Sequence, residues 1–274
     1  MISEPLENVL KRDRVVVTTA LAVLTALAWL YVLRLAANMG SETQIAGMPA
    51  MPGMPGMSAA APAVGPWSAG EIGFAFFMWA VMMVGMMTPS AAPMILLYAQ
   101  VGRRARAEEK PFAGTIWFAG GYLLAWTAFA AAATLAQAAL SSSALLTPML
   151  ASASNLFAGM VLIAAGVYQW TPLKNACLWQ CQVPFAFLSR NGGFKRDPLG
   201  SLGLGFKHGL YCVGCCWALM ALLFVVGVMN VLWIAGLAIL ILLEKSVPGG
   251  RFPSRALGLV LVVAGAIFLY RTRM

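Results

Sequence analysis

The chain has 274 residues, of which 61% are hydrophobic and 10% charged, and it carries a formal net charge of +9. Its mean hydropathy of +0.82 excludes an ordinary soluble domain, and several apolar stretches reach the roughly 17 to 25 residues that a helix needs to cross a bilayer. A basic soluble protein would suggest nucleic acid as a partner, but in a membrane protein Lys and Arg mark cytoplasmic loops. We therefore expect membrane lipids, and no nucleic acid, as partners.

The apolar stretches predict an all-α, polytopic transmembrane bundle of about seven helices. The predicted spans cover approximately residues 15–33, 72–101, 111–140, 152–170, 205–228, 231–243 and 256–270. If the N-terminus is cytoplasmic, all of the 18 lysines and arginines except Arg34, Arg271 and Arg273 fall on the cytoplasmic side. This distribution favours seven spans in a bacterial inner membrane. The alternative is six spans, with the fifth and sixth segments forming a re-entrant pair.

Residues 1–37 are predicted to form an N-terminal transmembrane helix, and residues 38–70 a periplasmic loop. Its central stretch, residues 39–67, is rich in Pro and Gly, which exclude regular structure. An exposed loop gives methionine nothing to pack against, yet methionine recurs in it. The recurring residues are Met48, Met51, Met54 and Met57. We interpret them as a loose collector of Cu(I), the alternative being a low-complexity linker without a ligand. Residues 71–274 form the third unit, a metal-binding-like transmembrane domain of about six helices.

The second predicted helix is unusually rich in methionine. Six methionines lie between residues 74 and 94, namely Met78, Met82, Met83, Met86, Met87 and Met94. Residues four apart share one face of a helix, so their spacing predicts two neighbouring thioether columns. Thioether sulfur is a soft ligand that suits Cu(I), whereas the alternative is that these methionines fill a core. Thr88-Pro89 below them is expected to kink or unwind the helix.

The fifth predicted helix carries the only histidine and three of the five cysteines. His208, Cys212 and Cys216 are spaced i, i+4 and i+8 and form one stripe, with Cys215 beside it. Imidazole and thiolates bind Cu(I) or Zn(II). The alternative is cysteines packed as small apolar residues beside a hydrated interfacial histidine. The GxxxG step at 205–209 would let another helix approach closely, and the second helix is the expected neighbour.

Cys177 and Cys181 form a second pair, again four residues apart. Thr171 as the N-cap and Pro172 at the first helical position predict a helix that begins there. In the reducing cytoplasm a structural disulfide is not expected. We interpret the pair as possible ligands where copper leaves on the cytoplasmic side. Thiols without a metal are the alternative.

Three stretches in order resemble a bacterial family of predicted metal-binding integral membrane proteins, sometimes called copper chaperones: MWAVMMVGMMTPSAAPMILLYA, YQWTPLKNACLWQC and a long stretch beginning KHGLYCVGCCWALM. The resemblance covers about Gly70 to the C-terminus. It implies a membrane protein that binds copper. The motif positions are Met82, Met83, Met86, Met87, Pro89, Pro93, Cys177, Cys181, His208, Cys212, Cys215 and Cys216. Members often have a basic residue and a histidine inside the second motif, where this chain has Leu178, Trp179 and Gln180.

The leading functional hypothesis is inner-membrane Cu(I) binding and delivery or uptake, with copper as the cofactor or cargo and a membrane cuproenzyme or other membrane subunit as partner. A single histidine disfavours bis-histidine haem and three-histidine zinc sites. No P-loop or aspartyl-phosphate motif is present, so transport would have to be passive or driven by a partner. We expect a protein that is not an enzyme. The first alternative is a scaffold or assembly subunit of a membrane complex. The second is a thiol redox protein using Cys212 and Cys215.

Overall fold

The computed structural model describes residues 4–46, 67–109, 113–147, 150–247 and 251–272. Within these ranges the chain is helical, and the only pairing of extended residues is an isolated bridge between Leu146 and Ser152. The helices are α1 (Glu4–Ala46), α2 (Ala69–Ala107), α3 (Thr115–Ser142), α4 (Asn155–Tyr168), α5 (Pro172–Gln182), α6 (Pro184–Arg190), α7 (Pro198–Ala221), α8 (Leu223–Val226), α9 (Val231–Ser246) and α10 (Arg251–Arg271). The predicted all-α class is confirmed.

The helices that are long and apolar enough to cross a membrane number five in the described ranges, or six if the bent pair α4–α5 is one span. Those five lie in α1, α2, α3, α7 together with α8, and α10. The α4–α5 pair bends by 64°, whereas the six-span alternative placed its re-entrant pair later in the chain. Helix α9 has 16 residues, fewer than the roughly 20 that a span needs. The total of seven spans therefore stays a prediction.

Helix α7 packs against several other helices of the bundle, namely α3, α4, α5, α8 and α9. Helix α3 packs along α7 and against α2. Helix α2 also packs against α1 and α9. Helix α5 packs on α7, and α4 packs along α10. Helices α2, α5, α7 and α9 are thereby gathered around one core.

Helix α1 extends beyond the predicted span. The loop was expected to begin at residue 38, but the helix continues to Ala46. The sequence between these positions contains one glycine and no proline, so no residue there removes a helical hydrogen bond. The candidate collector methionines Met48, Met51 and Met54, together with Met57, lie outside the described residues.

Helix α2 runs without interruption through Pro89 and Pro93, so it does not unwind at Thr88-Pro89, and the kink expected there as the other outcome stays a prediction. A proline leaves the carbonyl four residues earlier without its helical donor. For Pro89 this carbonyl belongs to Gly85, and the indole N–H of Trp29 on α1 donates to it at 3.2 Å. The neighbouring helix thus supplies the missing donor, as is common for prolines in transmembrane helices.

Helix α7 begins at Pro198, earlier than the predicted start at Gly205, because the Asp197 side chain caps it by accepting from Gly200 N–H at 2.5 Å. The GxxxG step at 205–209 lies against α3. A Cβ on Gly205 would overlap the carbonyl oxygen of Phe118 and lie 2.8 Å from its carbonyl carbon. The expectation that α2 is this neighbour is therefore wrong, and α3 is the helix that the glycines admit.

A buried ion pair joins α5, α9 and α10. Both carboxylate oxygens of Glu244 accept from Lys174 Nζ at 2.9 Å. Ser254 Oγ donates to the same carboxylate at 2.8 Å, and Lys174 also bonds to Gln169. The charge distribution placed Lys174 on the cytoplasmic side, and the structure shows that Lys174 is fully buried and Glu244 is 5% exposed. This ion pair therefore fixes the position of α9.

We expect a Lys174→Met variant to be less stable than the native protein by about 3–5 kcal/mol, because removing one partner leaves the other charge buried without compensation. The double variant Lys174→Met/Glu244→Gln should recover part of this loss. Thermal unfolding in detergent measures both effects, with Lys207→Met, at an exposed position of α7, as the control. Equal stability of the Lys174 and Lys207 variants would contradict the prediction.

Candidate functional site

Four cysteine sulfurs from two helices form one cluster. On α7, Cys212, Cys215 and Cys216 are spaced i, i+3 and i+4 and are all buried. The thiols of Cys215 and Cys216 each donate to the Cys212 carbonyl oxygen at 3.0 Å. From α5, the side chain of Cys181 lies within hydrogen-bonding range of the side chains of Cys212 and Cys215. Because α5 packs on α7, the cluster combines the two cysteine motifs of the sequence.

The sulfur of Cys212 also receives contacts from two residues that the sequence did not single out. Lys245 Nζ donates to Cys212 Sγ at 2.9 Å, and the hydroxyl of Tyr122 lies 3.1 Å from the same sulfur. Lys245 Nζ donates as well to Ser90 Oγ on α2 at 2.9 Å. The side chain of Lys245 therefore lies against the thiol cluster, where its positive charge can balance a thiolate.

Lys245 was expected just beyond the sixth predicted helix, which was to end at residue 243, but the helix continues to Ser246. It lies inside the last turn of α9 and is only 8% exposed. The ion pair of Glu244 and Lys174 holds this turn among the other helices. The side chain of Lys245 lies outside this ion pair and contacts Ser90 on α2 and Cys212 on α7. No local spacing signals this contact, because Lys245 is 33 positions from Cys212.

The predicted pair Cys177 and Cys181 is divided by the fold. Cys181 joins the cluster on α7, whereas Cys177 packs against the backbone of Gly214. A Cβ on Gly214 would lie only 2.8 Å from Cys177 Sγ, so glycine is the residue that lets this sulfur approach α7. The helix that carries both cysteines begins as predicted, with the Thr171 side chain accepting from Lys174 N–H.

His208 lies one turn before Cys212 and is 3% exposed. Its ring packs among those of Phe118, Tyr122 and Phe187, with centroid distances of 5.9, 5.9 and 4.9 Å. Within the described part of the chain, its Nδ1 atom is buried without a hydrogen-bond partner. An unsatisfied buried nitrogen is uncommon, and this one is a free donor or ligand atom beside the thiol stripe.

The methionines of α2 face the same core. All six of them are no more than 3% exposed: Met78, Met82, Met83, Met86, Met87 and Met94. They belong to the same buried apolar cluster as the three cysteines of α7. Tyr122 on α3 bridges the two groups, because its hydroxyl donates to the Met87 carbonyl oxygen at 3.1 Å and lies equally close to Cys212 Sγ. The Met87 end of the methionine column is thus connected to the thiol cluster through a single side chain, that of Tyr122.

The chemistry of the donors suits a soft metal ion, but the side chains are not arranged around one. In the part of the chain that the structure describes, no three His, Cys, Asp or Glu side chains form a group that could hold a metal ion. The thiol protons of Cys215 and Cys216 instead bond to a backbone carbonyl. Metal binding at these sulfurs requires that those bonds break and that the side chains turn inward.

A family model described as a copper chaperone matches residues 76–268. This range is more than half of the chain and contains every buried methionine and cysteine discussed above, as well as Tyr122 and Lys245. No curated protein and no solved structure matches the chain.

Proposed function

Since the chain belongs to the copper chaperone family PpoB2, we propose that it binds Cu(I) within the membrane and passes it to a partner protein. The binding residues are the cluster sulfurs of Cys181, Cys212, Cys215 and Cys216. The observation that carries this proposal is the convergence of these four sulfurs, from α5 and α7, beside a buried ammonium. Thiolates are soft ligands and favour Cu(I) over harder ions.

The methionines of α2 supply the approach to this cluster. The column from Met78 to Met87 spans about 14 Å at 1.5 Å per residue, and it ends at the residue whose carbonyl bonds to Tyr122. Thioethers bind Cu(I) more weakly than thiolates do, so an ion that enters among the methionines gains affinity as it reaches Cys212. His208, with its free Nδ1, stands one turn from Cys212 as an accessory ligand.

This order of ligands supports an inward direction of transfer, toward uptake or delivery to a membrane cuproenzyme. The basic residues support an arrangement of seven spans in a bacterial inner membrane, with the N-terminus and the segment after α4 in the cytoplasm. The loop that carries Met48 to Met57 is then periplasmic and collects the ion. No catalytic step is required of this protein.

Metal analysis of the full chain tests the function. Protein purified in detergent without oxygen and loaded with Cu(I) through a competing chelator should retain stoichiometric copper, and X-ray absorption should show sulfur in its first coordination shell. Absence of bound copper after loading would overturn the proposal and favour a scaffold subunit. Copper-independent cycling between thiol and disulfide at Cys212 and Cys215 would instead favour a redox protein.

The role of the methionines is tested by a Met83→Leu/Met87→Leu variant, which keeps side-chain volume and apolar character. We expect copper to bind to the same final stoichiometry but to load about tenfold more slowly, a change that corresponds to roughly 1.4 kcal/mol in the barrier. Stopped-flow transfer from a Cu(I) chelator measures the rate. Met160→Leu, at a 51% exposed position of α4, is the matched control. Equal loading rates in both variants would contradict a feeding role for α2.

A further inference from the structure

Among the described residues, no carboxylate forms an ion pair with Lys245. Its neighbour in sequence, Glu244, gives both oxygens to Lys174, and Lys245 Nζ bonds instead to Cys212 Sγ and Ser90 Oγ, each at 2.9 Å. An isolated buried ammonium is costly in a low-dielectric interior. Within the described chain, the group that faces this ammonium and can carry negative charge is the cysteine cluster.

The structure assigns a specificity role to Lys245, and this inference rests on the proposed function: Lys245 is the fixed counter-cation that makes the cluster prefer a monovalent soft metal ion to a divalent one. It lies on α9, whereas the sulfurs lie on α5 and α7. The ammonium therefore belongs to the site without being one of its ligands, and it stays when the metal arrives.

The preference follows from the total charge. With two of the four sulfurs as thiolates and the other two as thiols, a bound monovalent ion forms a complex of charge −1, and Lys245 brings the site to neutrality. A divalent ion held by the same two thiolates is already neutral, so Lys245 leaves an uncompensated positive charge. Uncompensated charge is strongly unfavourable in a buried, membrane-embedded site. Thiolate softness alone does not make this distinction, because Zn(II) also binds thiolates well.

The surroundings of Lys245 allow its side chain to shift position beside a bound ion while it keeps its positive charge. Its ammonium is a point charge on a flexible four-carbon stem, held by one hydroxyl, that of Ser90, besides the sulfur. Ser90 Oγ itself donates to the Met87 carbonyl oxygen at 2.9 Å. The lysine therefore stands where the methionine column meets the cysteine cluster, in contact with both helices that an incoming ion would pass.

The test compares a soft monovalent ion with a divalent one on the purified full chain in detergent, using Cu(I) or Ag(I) against Zn(II) or Cd(II) as free metals buffered by chelators. The variants are Lys245→Met, Lys245→Gln, which keeps a donor for Ser90, and Lys245→Arg, which keeps the charge. Lys207→Met removes a lysine charge at an exposed position of the same helix as the cysteines.

We expect Lys245→Met and Lys245→Gln to shift the ratio of monovalent to divalent affinity toward the divalent ion by about tenfold or more, the effect of roughly 1.4 kcal/mol. Lys245→Arg and Lys207→Met should keep the native ratio. An unchanged ratio in both neutral variants, or an equal loss of affinity for both ions, would overturn the assignment, since a merely structural lysine predicts those results. Native protein that binds no Cu(I) would overturn the proposed function itself, a result distinct from native binding with an unshifted ratio.

Discussion

A Cys212→Ser variant is expected to bind Cu(I) more than about 100-fold more weakly than the native protein, because even the outer partners of metal ligands are worth about 10–100-fold. Cys212 is the sulfur on which the other groups of the site converge. Lys245 Nζ, the Tyr122 hydroxyl and the Cys181 side chain all contact it. A serine hydroxyl is a hard ligand that offers little to Cu(I).

The effect should be on binding and not on folding. Serine is close to cysteine in size and can accept the hydrogen bonds of Lys245 and Tyr122, so the buried polar groups around it keep a partner. Competition with a Cu(I) chelator gives the affinity, and thermal unfolding in detergent gives the stability of the same preparation.

Cys177→Ser is the matched control, because it makes the same substitution on α5 at a sulfur that packs against Gly214, near Cys215, and is not one of the four proposed ligands. We expect it to keep the native affinity for Cu(I). Cys181→Ser, one turn away on the same helix, should weaken binding. An equal loss of Cu(I) affinity in Cys177→Ser and Cys181→Ser would contradict the assignment of Cys181, and not Cys177, to the copper site. Native affinity in Cys212→Ser would rule out the cluster as the copper site.

The second large effect is expected from a single methyl group, in the variant Gly205→Ala. The added Cβ would overlap the carbonyl oxygen of Phe118 and lie 2.8 Å from its carbonyl carbon and 3.0 Å from its Cα. These are backbone atoms of α3, which cannot turn away as a side chain would. The two helices must separate, and we expect a loss of stability of about 3 kcal/mol, at the upper end for overpacking.

Separation of α3 from α7 also reaches the site. Phe118 and Tyr122 of α3 pack on the ring of His208, and Tyr122 approaches Cys212 Sγ. Copper affinity should therefore fall together with stability. The two losses are coupled because Tyr122, which bridges the methionines and the cysteines, lies on α3, the helix that the substitution displaces.

Gly203→Ala on the same helix is the control, since a Cβ at Gly203 meets nothing within 4 Å. Replacing an unhindered helical glycine by alanine should be neutral or should stabilise by about 0.5–1 kcal/mol. Thermal unfolding of both variants in detergent gives the comparison. If Gly205→Ala were as stable as Gly203→Ala, the close approach of α3 and α7 would be wrong, and with it the position of Tyr122.

Local features of the fold were predictable from the sequence. Apolar stretches of sufficient length predicted the helices, and Thr171 and Pro172 predicted where α5 begins. Spacings of three and four residues placed Cys212 and its neighbours on one buried side of α7 and the methionines on buried positions of α2. These predictions depend on helix geometry alone, in which residues a turn apart are neighbours whatever the rest of the chain does.

The membership of the site was decided by tertiary structure. Nothing near Lys245 in the sequence indicates that its ammonium leaves the cytoplasmic turn for the sulfur of Cys212, or that Lys174 pairs with Glu244 inside the bundle. Hydropathy assigns charged residues to solvent, and only a partner from a distant helix makes their burial favourable.

The neighbour of the GxxxG step and the fate of the second cysteine pair were likewise decided by tertiary structure. The sequence by itself determined that the GxxxG step admits a neighbouring helix, and that residues 177 and 181 share a face of α5. Only the packing of α3 and α5 on α7 decided which helix is admitted and which sulfur joins the cluster. Helix periodicity is fixed by backbone hydrogen bonds within one segment, whereas the choice of neighbour depends on side-chain fit between segments far apart in the chain.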